Sequence, residues 1–193
     1  VLVGGRGKAG GIKKAENPDE AGKIAEELIG SYIKGHKVEK VLVEEALNIK
    51  KEYYVGYVID KSKKRPALIL SRKGGMNVEE IAEKYPEEML KIYIDPLWGL
   101  QDYQVRKALF RAMFSNSEIS ELLKIVKNLC RIAFKFEAEL TEINPLVLTR
   151  DGRLIAADAR VDIDDNALFR HPELKELREY TEADELEKIA AEQ

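Results

Sequence analysis

Three observations on this sequence predict a mixed α/β (α+β) fold. Short apolar runs of strand character are interspersed with segments whose apolar residues recur at helical spacing. Near the C-terminal end, Asp151-Gly152 separates two strand-like runs, the strongest short hairpin signal a sequence offers. Apolar residues make up 45% of the 193, an ordinary share for a globular core. A chain of this length suits one large domain or two small ones.

Val1-Leu2-Val3 reads as the end of a strand and runs, with no initiator Met, into Gly4-Gly5-Arg6-Gly7-Lys8-Ala9-Gly10-Gly11. Five glycines and two cations in eight residues give a mobile backbone with free N–H groups and positive charge. Those properties suit a loop that closes over phosphates, and a plain flexible connector shares the glycine content. The Gly-Lys-Ser/Thr ending of a Walker loop is missing, and no G-x-G-x-x-G opens a helix directly. Asn17 suits the N-cap and Pro18 the first turn of a helix with Ala21, Ile24, Ala25, Leu28 and Ile29 on one face, ended by Gly30. Residues 40–46, around Val41-Leu42-Val43, read as a buried strand that finishes in Glu44-Glu45-Ala46. Residues 53–60 and 67–71 read as partner strands. The basic run between them, 61–65, reads as a solvated hairpin tip rather than a nucleic-acid patch.

Gly74-Gly75 precedes a helix, with Asn77 and Glu80 spaced like a capping box. Such a glycine pair serves either anion binding or a tight strand-to-helix turn. Residues 92–95 form a short strand stopped by Pro96, and helices follow at 103–114 and 118–136. In the second helix Ile119, Leu122, Leu123, Val126, Leu129, Cys130 and Ala133 make a core stripe. The hairpin then runs from 138 to 149 and from 154 to 160 around Arg150-Asp151-Gly152-Arg153. Folding it brings Asn144 and Asp158 onto neighbouring strands, with Glu142 on the Asn144 face because side chains alternate along a strand. Two carboxylates and an amide oxygen suit a hard cation such as phosphate-bound magnesium, although polar residues of a water-facing edge strand leave the same pattern. Asp162-Ile163-Asp164-Asp165-Asn166 lacks the glycine and terminal glutamate of an EF-hand loop, so Asp165 or Asn166 is expected to cap the next helix.

Charge and composition exclude several classes. A net charge of −3 argues against a nucleic-acid binder driven by backbone charge. The single cysteine, Cys130, permits neither an intrachain disulfide nor a cysteine metal cluster and reads as a small buried hydrophobe. No run is long enough to span a bilayer and no signal peptide is visible, so a reducing, cytoplasmic setting is expected.

In order along the chain, the loop from Gly4 to Gly11, Leu42-Val43-Glu44-Glu45-Ala46 with Glu52-Tyr53, Gly74-Gly75, Asp95-Pro96-Leu97, Glu142-Ile143-Asn144-Pro145-Leu146 and Asp165-Asn166-Ala167-Leu168-Phe169-Arg170 together resemble the β-subunit of succinyl-CoA synthetase (succinate–CoA ligase), an ATP-grasp enzyme. The resemblance implies two mixed sheets that clasp a nucleotide, with helices on their outer faces, over residues 1–178. An acidic linker at 179–193 would lead towards a C-terminal CoA-ligase domain. It also implies a reversible ligase: ATP or GTP phosphorylates a histidine of a partner α-subunit, the phosphoryl group passes to the carboxylate, and coenzyme A displaces it. Carried over by motif, Gly5, Arg6 and Gly7 contact the nucleotide, Glu44 and Leu47 lie at its base, Glu52 reaches the ribose, and Asn144 and Asp158 ligate magnesium. Glu142, beside them, is expected to meet the phosphohistidine. His36 and His171 sit in no glycine-rich loop and are expected at the surface.

The sequence departs from the family pattern in places. The family's phosphate-contacting lysine, its first strand and helix and its CoA-ligase domain are absent, so an N-terminally truncated chain, inactive alone, is expected. Ala159-Arg160 stands where the family has Gly-Lys, and Asp164-Asp165-Asn166 where it has Asp-Gly-Asn. A malate- or citrate-type CoA ligase subunit, or a nucleotide-binding module without chemistry, is the alternative reading.

Overall fold

The computed structural model describes residues 7, 9–175 and 177. Gly5, Arg6 and the acidic segment expected at 179–193 lie outside them. The chain divides into two compact units, Val1–Asn48 and Ile49–Gln193.

In the first unit, helix α1 spans Pro18–Leu28. It starts as the sequence dictates: the Asn17 side chain accepts the Glu20 N–H at 2.9 Å, and Pro18 occupies the first turn, where no N–H is needed. Two short strands, β1 (Tyr32–Ile33) and β2 (His36–Lys37), pair antiparallel around Lys34-Gly35. The strand expected at 40–46 does not form. Residues 38–48 have no regular structure, and Leu42 and Val43 are 82% and 69% exposed. A β-branched run becomes a strand only when a neighbouring strand takes up its backbone groups, and none of the described strands pairs with this one.

The second unit is built on strands β3 (Ile49–Asp60) and β4 (Arg65–Ser71), helix α2 (Val78–Lys84), strand β5 (Met89–Tyr93), helices α3 (Asp102–Arg111) and α4 (Asn116–Lys135), strands β6 (Ala138–Thr149), β7 (Leu154–Ala156) and β8 (Ala159–Ile163), and helix α5 (Pro172–Lys175). The sheet order is β5-β4-β3-β6-β7, with β8 also on β6. All pairings among the described strands are antiparallel, so the mixed pairing expected of the sheets is not found there. Tight hairpins, rather than helical crossovers, join β3 to β4 and β6 to β7, which permits only antiparallel neighbours.

One face of this sheet carries the core. Tyr53, Val55 and Tyr57 alternate along β3, Leu68 and Leu70 along β4, and all pack with the α4 stripe predicted from the sequence, Ile119 to Ala133. Cys130 lies in that stripe, and burial pushes its thiol up to about 12, which leaves it an unreactive hydrophobe. Helix α4 begins at Asn116 because Ser115 and Glu118 form a reciprocal capping box. The cap expected on α2 is only half present: Asn77 holds the N-cap position without a side-chain bond, and Glu80 pairs with Lys84. The turn of 3₁₀ helix at Asp165–Arg170 is capped by Asp164, one residue before the two predicted, through the Asn166 N–H at 2.9 Å. His171 is not a free surface group. It is half-buried, with Nε2 3.0 Å from the Glu137 carboxylate that also accepts from Nε and Nη2 of Arg170. His36 is exposed, as expected.

Candidate nucleotide and metal site

The face of the sheet turned away from helix α4 is organised by an irregularity in β6. Tyr53 pairs with Leu146 and Val55 with Ile143, so Asn144 and Pro145 together oppose Tyr54. Two residues against one is a β-bulge, the device that re-aims a side chain out of a regular ladder. The Asn144–Pro145 peptide bond is cis. From this bulge the Asn144 N–H donates to the Asp158 carbonyl at 3.0 Å, and Asp158 lies at the bend between β7 and β8. The hairpin read from Asp151-Gly152 therefore does bring residues 144 and 158 side by side.

The Asn144 side chain is fixed from a third direction. Its Oδ1 accepts the Gly75 N–H at 2.9 Å, and its Nδ2 donates to the Met76 carbonyl at 2.9 Å. This clamp holds the loop after β4 against β3, and the loop must be glycine to get there. A Cβ on Gly74 would lie 2.3 Å from the Tyr53 carbonyl oxygen. Gly75 has φ +71°, and a Cβ there would lie 2.5 Å from the Glu52 carboxylate. With its Gly75 N–H given to Asn144, the glycine pair is a tight strand-to-helix turn. Glu52 is thereby placed beside Gly75 and, through it, beside Asn144.

Glu142 stands opposite Gly56 on β3 and Arg160 on β8. It accepts the Tyr54 phenol proton at 2.9 Å. Burial first, and then the Glu142 charge, hold the Tyr54 phenol above the usual tyrosine range, so it stays a donor. Arg160, where the resemblance called for lysine, is forked onto Asp162 at 2.9 and 2.7 Å.

The second unit thus gathers Glu52, Glu142, Asn144 and Asp158. Gly7, exposed Glu44 and half-buried Leu47 belong to the first unit, the last two in its irregular segment. The sequence reading overlooked Tyr54 and the double role of Asn144. The spacing Glu52-x-Tyr54-x-Gly56 on one strand was the available signal, since alternate residues share a face.

The donor set suits a hard cation. Asp158 offers a carboxylate, and the Asn144 amide oxygen, with two lone pairs and one N–H partner, retains acceptor capacity. Among the described residues no cluster of three His, Cys, Asp or Glu side chains is arranged for a metal. An ion here would complete its shell from phosphate and water, which is the habit of magnesium.

The ATP-grasp domain profile matches residues 1–148. The chain belongs to the ATP-grasp family. Among ATP-grasp relatives, it is 63% identical over 190 residues to the succinate–CoA ligase [ADP-forming] subunit beta 1 of Archaeoglobus fulgidus, covering 98% of this chain and 50% of that one. It is 48% identical over 179 residues to the succinate–CoA ligase [GDP-forming] subunit beta of Thermus thermophilus, covering 93% and 47%. The chain therefore spans about half the length of the curated relatives it matches. The likeness to succinate–CoA ligase β subunits suggested by the motifs is thus carried by nearly the whole sequence. In three dimensions the ATP-grasp fold is shared with ATP citrate lyase from Methanothrix soehngenii, at TM-score 0.65 and 20% identity over 85% of this chain and 37% of that one. No described helix is long and apolar enough to cross a membrane.

Proposed function

We propose that this sequence is the nucleotide-gripping part of a succinate–CoA ligase β subunit, which works with an α subunit in the cytoplasm and exchanges a phosphoryl group with a histidine of that partner. The observation that carries the reading is the 63% identity over 98% of the chain to such a β subunit, with the folded Asn144–Asp158 pair as its physical counterpart. The citrate-cleaving alternative rests on a likeness at 20% identity, which speaks for fold only. Relatives of both ADP-forming and GDP-forming kinds match, so the nucleobase stays open between ATP and GTP. The ATP-grasp domain is taken to extend to residue 178, three residues past the end of helix α5 at Lys175.

In this reading Asn144 and Asp158 hold magnesium, which neutralises phosphate charge when bound. Gly5, Arg6 and Gly7 cover the phosphates with backbone N–H groups and a cation. Glu44 and Leu47 line the base, and Glu52, steadied beside Gly75, takes the ribose hydroxyls. Glu142 receives the N–H side of the partner's histidine ring, which directs the other ring nitrogen towards phosphorus. These roles ask the protein for positioning and charge compensation, the two things phosphoryl transfer needs. Free, buried Cys130 is compatible with a reducing compartment.

The test is reconstitution of the full-length β chain with an α subunit and assay of acyl-CoA formation over succinate, malate and citrate with ATP and GTP. Succinate-dependent turnover is expected, and a clear preference for another acid overturns the assignment. Titration calorimetry adds the metal arm. Magnesium should tighten nucleotide binding and Asp158→Ala should remove most of the gain, whereas equal affinity with and without magnesium contradicts the site.

A further inference from the structure

Tyr54 is only 1% exposed although it lies on the sheet face opposite the helical core. Its phenol reaches along the strand and across to the neighbouring one, donating to Glu142 Oε2 at 2.9 Å. The path runs directly over Gly56, which pairs with Glu142 in the ladder. A Cβ at Gly56 would lie 2.4 Å from the Tyr54 hydroxyl oxygen and 2.9 Å from the ring carbon that bears it. A glycine inside a strand weakens it, and here it marks a close approach by another group. The strand gives up a side chain at 56 so that the ring of 54 can meet the carboxylate of 142.

The other charged groups facing this contact are Glu79, which acts on Tyr54, and Arg160, which acts on Glu142 from β8. Arg160 is itself forked onto Asp162, while the Tyr54 phenol donates to the Glu142 carboxylate. A free glutamate has three side-chain rotors to settle, and ordering them costs rotamer entropy. A buried ring that binds one carboxylate oxygen fixes those rotors in advance and leaves the other oxygen for an incoming group.

We propose that Tyr54, given room by Gly56, is a positioning residue that holds Glu142 in the rotamer that meets the partner's histidine. The proposal rests on the reading of Glu142 given above. It adds a residue that the resemblance did not assign and explains why β3 carries glycine at 56.

The experiment uses the full-length β chain assembled with its α subunit and follows the phosphorylation of the α-subunit histidine by ATP in single turnover. Tyr54→Phe should slow that step about tenfold and leave nucleotide affinity and subunit association unchanged, the loss expected of a misaligned group. Gly56→Ala, which pushes the ring aside, should slow it in the same direction. Tyr53→Phe, on the opposite face, should not change it. In a Glu142→Gln background, Tyr54→Phe should add nothing.

A wild-type rate in Tyr54→Phe, alongside a slow Glu142→Gln, overturns the positioning role alone. A wild-type rate in Glu142→Gln overturns the underlying reading of Glu142. A full extra loss from Tyr54→Phe in the Glu142→Gln background overturns the route through Glu142. Should Tyr54→Phe fail to assemble, 3,5-difluorotyrosine at 54 keeps the ring's shape but sheds its proton at lower pH. The rate should then fall at a lower pH than in wild type, and a pH profile identical to wild type overturns the proposal.

Discussion

Tyr53 and Tyr54 are consecutive, equally buried, and each donates its phenol to a glutamate, yet they serve opposite faces of β3. Tyr53 points into the helical side. Its partner Glu118 closes the capping box of α4, and its ring meets Phe114 edge-on at 5.4 Å. Tyr54 points to the other side, where its partner Glu142 stands two residues from Asn144 in the bulge. The same chemical pair therefore fastens a helix to the sheet on one face and holds a candidate site carboxylate on the other. What separates the two roles is what lies beyond the glutamate: a helix end in one case, and a gathering of Glu52, Asn144 and Asp158 in the other.

That contrast is broken most severely from the core side. Leu122→Ala, at a fully buried position of α4, should cost about 2–5 kcal/mol in denaturant unfolding. Asp158→Ala, on the exposed bend, should cost less than Leu122→Ala in the same experiment while losing magnesium-dependent nucleotide affinity. Gly74→Ala stands between the two faces, because its new methyl meets the Tyr53 backbone. A loss of about 1–3 kcal/mol is expected, together with weaker nucleotide binding as the loop pulls away from Asn144.

Smaller changes sharpen the comparison. Tyr53→Phe should cost about 1 kcal/mol of stability, the ordinary worth of a hydrogen bond, and leave phosphoryl transfer alone. The acid side supplies a last, smaller effect. Burial works against the Glu118 carboxylate, but the Ser115 hydroxyl, the Tyr53 phenol, the Ser115 N–H and Lys51 together hold its pKa below the ordinary 4.5. A carboxyl with a depressed folded pKa lends stability above its unfolded value and loses it as pH falls through the folded one. The melting temperature should therefore drop more steeply below about pH 4.5 in wild type than in Glu118→Gln, read by thermal scans across that window.

How much of this was legible depended on how local each signal was. The α4 stripe was readable because a 3.6-residue period repeats over 20 residues. The Asn144–Asp158 neighbourhood was readable because Asp151-Gly152 fixes the hairpin between them. The strand expected at 40–46 failed because strand formation depends on a partner that no local pattern names. Tyr54 and Glu142 lie 88 residues apart, and no short-range pattern links them. The bulge at Asn144-Pro145 arises from pairing β6 with β3, so the clamp on Gly75 and Met76 was equally hidden. Local order could name candidate site residues, whereas the contacts that orient them are tertiary.

The most direct test of the account is a crystal structure of the assembled full-length enzyme with nucleotide and Mn²⁺ in place of magnesium, with the ion located by its anomalous scattering. The account predicts one peak within about 2.2 Å of both the Asn144 amide oxygen and an Asp158 carboxylate oxygen, bridging to phosphate. A nucleotide-bound ion that touches neither residue, with Asn144 still clamped on Gly75 and Asp158 turned away, would contradict it.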